Sequence, residues 1–297
     1  MRGSGTFRAT LALATSILAS SGGGGVAHAQ EPGELEYVDR RDPYDIDPLT
    51  DTSIISLSLA FGAFSEIVLS SGEIIPQQPQ DPSHLPFFDR ATIYRADPWA
   101  GPISTYAVMA TMAWGVIDPI ATGFRDGADP AVDLGVLYVE TVSLAWAAAN
   151  TAKLIVRRPR PRAYQEQRRL VELYGKDKAP NISETDFGMS FFSGHTAMAA
   201  ALSSTATYHA FVRDPDAPRP WLTLGAGTAL TTLVAIERVR SGAHFPSDVV
   251  AAAFAGVGIG LLVPHLHRET RAVTTGGTGV AATPLESGPR FQFGGQF

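Results

Sequence analysis

The chain has 297 residues, of which 45% are hydrophobic and 18% charged, and it contains no cysteine. This composition argues against a globally disordered chain, and the lack of cysteine excludes disulfides, thiolate metal sites and cysteine catalysis. The net charge of −6 is spread along the chain and gives no reason to expect a nucleic-acid partner. The length allows one large domain or two small ones.

The first 29 residues have the layout of a secretory signal peptide. Arg2 and Arg8 precede an apolar run from Ala9 to Ala19, and a Gly-rich spacer leads to small residues that end at Ala29. This pattern predicts export, with cleavage after Ala29. The alternative is an N-terminal membrane anchor, although the apolar run is short for a bilayer span.

The rest of the chain divides by composition into three parts. Residues 30–94 are expected to form an extended lead-in, a first helix and a polar loop, residues 95–267 a helical core, and residues 268–297 a flexible Gly-rich tail. Six apolar, Ala-rich segments are long enough for helices and too long for typical strands. They cover residues 52–72, 101–122, 133–156, 194–212, 221–238 and 246–264. Because no alternating run indicates a sheet, the prediction is an all-α fold with a six-helix core bundle.

Several of these segments approach the length of a membrane span. Two features argue against spanning: Glu66 and Glu140 lie inside predicted helices, and the loops around Arg125, Arg213 and Arg219 carry acidic residues instead of a basic excess. An odd number of spans after an exported start would also place the end of the third segment in the cytoplasm. The sequence therefore favours a soluble periplasmic bundle. The alternative is an inner-membrane protein with its site facing the periplasm.

Two of three notable polar stretches lie at the ends of the third and fourth predicted helices. The first, KLIVRRPRP from Lys153 to Pro161, ends the third helix with a dense group of cations. Taken alone, these could be ordinary bases at a helix C-terminus. The second, SFFSGHT from Ser190 to Thr196, opens the fourth helix and offers free N–H groups, a hydroxyl and an imidazole to an anion. Taken alone, it could equally be a capping serine beside an incidental histidine.

The third stretch, RVRSGAHFPSD from Arg238 to Asp248, links the fifth and sixth helices. His244 and Asp248 are four residues apart, which lets the carboxylate reach the imidazole and fix its tautomer, although a surface pair would have the same spacing. In an antiparallel bundle all three stretches meet at one end. The ordered combination K-x6-R-P, S-G-H and R-x5-H-x3-D is more specific than any of its parts.

Through these three motifs, over roughly residues 95–265, the chain resembles a bacterial exported member of the type 2 phosphatidic acid phosphatase/vanadium haloperoxidase superfamily. The resemblance implies a metal-independent acid phosphatase that hydrolyses phosphate monoesters or lipid (pyro)phosphates through a phosphohistidine. It also implies that His244 is the nucleophile, His195 the general acid and Asp248 the partner that orients His244. The phosphate-binding residues implied by the resemblance are Lys153, Arg160, Ser193, Gly194 and Arg238.

The chemistry of phosphoryl transfer agrees with such a site. Negative charge spreads over the phosphoryl oxygens during transfer, and fixed cations and N–H donors stabilise that charge. We therefore expect no cofactor and no metal, since no carboxylate cluster is visible and His265 with His267 alone would make an incomplete metal site. Phe192 and Glu237 stand where the family usually has proline and serine.

Two alternatives keep the same pocket. In the first, His244 holds vanadate and the protein is a haloperoxidase. In the second, the protein is a non-catalytic envelope protein that binds phosphate or lipid. The expected partner is a phosphorylated small molecule or lipid, with contact to a membrane surface and no nucleic acid, and the sequence gives no indication of an oligomeric state. The loops at 73–100 and 162–192 are expected to decide between soluble and lipid substrates.

Overall fold

The computed structural model describes residues 35–37, 43–94, 96–268 and 271–273. Residues 36–271 form one compact unit, and a second unit, residues 1–35 with 272–297, is described only at residues 35, 272 and 273. The predicted signal peptide and almost all of the predicted tail lie outside the described residues.

The described residues are predominantly helical, as the sequence predicts. Two 3-10 turns, Pro82–His84 and Thr185–Gly188, and two three-residue strands, β1 (Leu35–Tyr37) and β2 (Arg271–Val273), accompany the helices. The helices are α1 (Pro48–Ser70), α2 (Phe87–Arg90), α3 (Ala100–Asp126), α4 (Ala128–Val156), α5 (Pro161–Tyr174), α6 (Gly194–Arg213), α7 (Pro218–Arg240) and α8 (Pro246–Leu266). The six longest coincide with the six predicted segments, so the predicted all-α six-helix bundle is confirmed.

One end of the bundle, called the distal end here, is defined by contacts between helix termini. Asp51 lies in the first turn of α1, and its Oδ1 is 3.0 Å from Nε2 of His267, which follows α8. Arg213 at the end of α6 forms an ion pair with Asp126 at the end of α3. The start of α1 and the end of α8 therefore lie together.

The opposite end, called the motif end here, carries the other helix termini. The backbone N–H of Asp97, just before α3, donates to the carbonyl of Arg240 at the end of α7 over 2.8 Å. Asn150, near the end of α4, lies 3.2 Å from the hydroxyl of Ser65 near the end of α1. Successive long helices thus run in alternating directions, which brings the three polar motifs to one end.

Helix α6 is the centre of the bundle and packs closely on α8. It contacts α3, α4, α7 and α8. A Cβ at Gly256 would lie 2.2 Å from the carbonyl oxygen of Ala197, and one at Gly260 would lie 2.2 Å from that of Ala201. Small residues four apart allow two helix backbones to approach closely, a common arrangement between helices in membranes.

The outer surface of the bundle is apolar. Among the described residues, five helical stretches are long and apolar enough to cross a membrane: α1, α3, the stretch that begins with α4, α7 and α8. They expose large apolar side chains, among them Phe64, Phe124 and Phe254, of which Phe124 is 89% exposed. Apolar surface of this extent is suited to lipid, so the protein localises to a membrane. The soluble periplasmic bundle favoured by the sequence is not supported, and the membrane alternative is.

The surroundings of Glu140 and Glu66, the two carboxylates that argued against a membrane, are compatible with a membrane-spanning bundle. Glu140 is buried inside the bundle, where its side chain does not face lipid. Glu66 lies in the last turns of α1 at the motif end, and its Oε2 accepts a hydrogen bond of 3.3 Å from Asn150. Charged groups that face the interior or a helix end are the ones that membranes tolerate.

The close contact between α6 and α8 gives a first prediction. Replacing Gly256→Ala places a methyl group against the α6 backbone, so we expect the free energy of unfolding to fall by about 1–3 kcal/mol. Gly258→Ala is the matched control, since no atom lies within 4 Å of its Cβ position. Thermal unfolding in detergent measures both variants, and equal stability would contradict the close packing.

Candidate active site

Lys153 lies in the last turn of α4 and is held by neighbouring amide and carboxylate groups. Its Nζ donates a hydrogen bond of 3.1 Å to Oδ1 of Asn150, whose own amide donates to Glu66. Arg157 then ends the helix in the left-handed conformation, with φ of 49°. The chain therefore turns sharply after Lys153, and the remaining arginines of the first motif lie outside α4.

Arg160 precedes α5 and is buried. Its backbone N–H donates to the carbonyl of Phe187 over 2.8 Å, and its Nη2 lies 2.8 Å from a carboxylate oxygen of Asp186. Within the described residues, the buried Nε atoms of Arg160 and Arg238 have no hydrogen-bond partner. A buried N–H without a partner costs free energy, and an anion bound beside these groups would remove that cost.

The second motif forms the N-terminus of α6. Ser193 is the N-cap, and its Oγ accepts hydrogen bonds from the backbone N–H of Thr196 at 3.4 Å and from the Thr196 hydroxyl at 3.0 Å. A Cβ at Gly194 would lie 3.8 Å from Nζ of Lys153. The first turn of α6, which includes His195, is therefore close to the cation that ends α4. Free N–H groups at a helix start are a favourable position for an anion.

The third motif places His244 in a buried position with a defined tautomer. Nδ1 of His244 is 2.5 Å from the backbone carbonyl of Ser190, so Nδ1 carries the proton and donates it to that oxygen. The other ring nitrogen, Nε2, is then unprotonated, and its lone pair accepts a long hydrogen bond of 3.5 Å from Nη2 of Arg238. This geometry leaves Nε2 as the nucleophilic atom beside a guanidinium.

The hydrogen bonds of Asp248 go to residues other than the His244 ring, which the sequence predicted as its partner. Its carboxylate accepts hydrogen bonds from the Ser190 hydroxyl, from Arg158 and, over 2.8 Å, from the backbone N–H of Phe245. The first turn of α8 points Asp248 at its own N-cap residue, and the Ser190 carbonyl takes the place expected for the carboxylate. Any orienting effect of Asp248 on His244 therefore passes through Ser190.

Arg158 and Asp89 are site-supporting residues that the sequence did not identify. Arg158 forms ion pairs with Asp248 and, at 2.8 Å, with Asp89, and its guanidinium lies 4.2 Å from the ring centroid of Phe245. Asp89, in α2, also accepts a hydrogen bond of 2.7 Å from Ser247. The loop between α1 and α3 is thereby fastened to the start of α8. In the sequence, Asp89 is visible only as part of an Asp-Arg pair in a polar loop.

Electrostatic effects show that the predicted site groups share one pocket. Burial, followed by the charges of Arg238, Lys153 and Arg160, lowers the pKa of His195 to about 4. Burial and the same three cations hold the pKa of His244 well below its ordinary value. Both imidazoles are therefore neutral near pH 7, and the structure brings the five groups together at the motif end.

This charge arrangement predicts pH-dependent anion binding. A bound sulfate dianion stabilises the imidazolium form of His195 and raises its pKa, so binding takes up a proton. Sulfate affinity should therefore increase as the pH falls from about 7 to about 5. In His195→Asn the increase should be smaller. Calorimetric titration of both proteins tests this, and a wild-type affinity independent of pH would contradict it.

Comparison with known proteins gives one family match and one similar solved structure. No curated protein matches the chain. A solved structure, the first transmembrane PAP2 type phosphatidylglycerolphosphate phosphatase from Bacillus subtilis, is 19% identical and covers 73% of this chain and 94% of its own, with a TM-score of 0.43. The family model of the PAP2 superfamily matches residues 134–272, a range that contains all three motifs. Over this segment the chain is similar to the PAP2 superfamily.

Proposed function

We propose that the protein is a membrane phosphatase that hydrolyses a lipid phosphate or pyrophosphate through a phosphohistidine on His244. The observation that carries the proposal is the position of Nε2 of His244, which is unprotonated and lies beside Arg238 in a group of cations. A neutral imidazole of this kind can attack phosphorus.

The proposed roles follow from this geometry. Nε2 of His244 attacks the phosphorus, and the bond from phosphorus to the leaving oxygen breaks. Lys153, Arg160 and Arg238, with the hydroxyl of Ser193 and the N–H of Gly194, stabilise the charge on the phosphoryl oxygens. The proposal requires no metal or other cofactor, because these fixed cations supply the charge that a metal would otherwise supply.

His195 is proposed to exchange the proton that each step requires. It is neutral in the pocket without an anion, but the negative charge of bound phosphate favours its protonated form. The imidazolium then gives its proton to the leaving oxygen. In the second step, neutral His195 accepts a proton from the water that attacks the phosphorus, the bond between phosphorus and Nε2 of His244 breaks, and inorganic phosphate leaves.

A groove beside the site supports a lipid substrate. Two adjoining cavities of about 380 and 390 Å³ lie between α7 and α8, one of them also bordered by α6, and they share Thr231, Thr232 and Ala253. The second cavity reaches Val239 and Pro246, which belong to the third motif. An acyl chain in this groove would place its phosphate at the motif end.

The inner membrane is the proposed location. The five apolar helical stretches and the exposed apolar surface support a membrane. The orientation in which the site faces the periplasm stays a prediction.

The nucleophile is tested by His244→Ala. We expect this change to lower kcat for release of phosphate from an aryl phosphate by at least about a thousandfold, since the attacking atom is removed. EDTA should leave the initial rate of the wild type unchanged. His84→Ala, at an exposed histidine, is the control and should retain wild-type activity. Full activity in His244→Ala would overturn the proposal.

The groove is tested by Ala253→Trp, which fills the space shared by the two cavities. Turnover of a long-chain lipid phosphate should fall by about tenfold, while turnover of an aryl phosphate should stay near wild type, because the second substrate has no chain to place. Leu262→Trp, at a 53% exposed position on the same helix, is the control. Equal losses for both substrates would argue against an acyl-chain groove.

A further inference from the structure

A second cluster of polar side chains lies at the distal end, away from the candidate active site. It consists of Asp51 in the first turn of α1, Glu140 in α4 and His267 immediately after α8. One ligand atom from each residue lies within 4.8 Å of the other two. The sequence shows no carboxylate cluster because the three residues are far apart along the chain and meet only in the folded bundle.

The orientation of His267 directs Nε2 into this cluster. Nδ1 of His267 is 2.8 Å from the backbone carbonyl of Val263, so Nδ1 donates its proton to that oxygen. Nε2 donates to Oδ1 of Asp51 over 3.0 Å and lies 3.5 Å from Oε2 of Glu140, and a metal ion that displaced the Nε2 proton would take its place between these atoms. An imidazole held by a backbone carbonyl in this way is typical of metal ligands.

The carboxylates of the cluster are buried and incompletely paired. Asp51 and Glu140 are each 3% exposed. Within the described part of the chain, Oδ2 of Asp51 and Oε2 of Glu140 have no hydrogen-bond donor. Bound to a divalent cation, two carboxylates would contribute a charge of −2 that the cation cancels in full, whereas an imidazolium cancels only half of it.

The distances fit a small divalent ion. A tetrahedral ion with bonds of about 2.1 Å separates its ligand atoms by about 3.4 Å. The two separations from Nε2, 3.0 and 3.5 Å, are close to that value. One imidazole nitrogen with two carboxylate oxygens is a donor set suited to Zn²⁺ and to neighbouring first-row ions.

We propose that Asp51, Glu140 and His267 bind a divalent transition-metal ion, of the Zn²⁺ class, at the distal end of the bundle. The ion joins α1, α4 and α8 and leaves at least one coordination position for water. Its role is to hold α1 against the rest of the bundle, because α1 lies at the periphery of the bundle. The site is separate from the phosphatase chemistry, so the proposal stands independently of the proposed function.

The test uses the full chain purified in detergent, stripped with EDTA and titrated with Zn²⁺. We expect one equivalent of Zn²⁺ per chain and a rise in Tm on its addition, while the initial rate with an aryl phosphate stays unchanged. Less than a half-equivalent bound to the wild type, with no change in Tm, would overturn the proposal without any variant.

Two histidine variants locate the ion. His267→Ala should lose the equivalent of Zn²⁺, or bind it at least about a hundredfold more weakly, and should lose the rise in Tm. His265→Ala is the matched control, because His265 is exposed, two residues away, and bonded to Tyr208. If the Zn²⁺ is lost in His265→Ala and retained in His267→Ala, the ion binds at the surface and the proposal is wrong. Glu140→Gln repeats the test should His267→Ala fail to fold.

Discussion

The concentration of positive charge at the motif end is the constraint on which the rest of the site depends. Lys153, Arg160 and Arg238 act on the same two imidazoles, and the buried Nε atoms of both arginines have no partner among the described residues. Groups of like charge stay together in a poorly solvated pocket only when a rigid scaffold holds them. The scaffold here is the close packing of α6 on α8, since the second motif begins α6 and the third runs into α8. The cost of gathering these charges falls when an anion binds.

The helices could be predicted from the sequence because long apolar segments specify helices whatever surrounds them. The predicted sixth segment, 246–264, is α8 at Pro246–Leu266, and its start is marked by a proline in the first turn. Membrane insertion could not be predicted in the same way. An apolar residue such as Phe254 has the same hydrophobicity in a protein core and in lipid, and only the fold shows that its side chain points outwards.

The meeting of the three motifs at one end of the bundle could also be predicted, because each motif lies at a helix end and alternating helices bring those ends together. The hydrogen bonds within the site could not be predicted from the sequence. Asp248 is four residues from His244, yet its carboxylate turns to Ser190, whose carbonyl bonds the ring. Asp89 and Asn150 support the site from other helices, and contacts between distant segments leave no periodic signal in one sequence. The role of each site residue stays a prediction.

The contact between Asp51 and His267 constrains how the first and last long helices are placed in a bilayer. The start of α1 and the end of α8 lie together at the distal end, and the cationic site lies at the opposite, motif end. On whichever side of the membrane His244 meets its substrate, the other side therefore receives both the start of α1 and the end of α8.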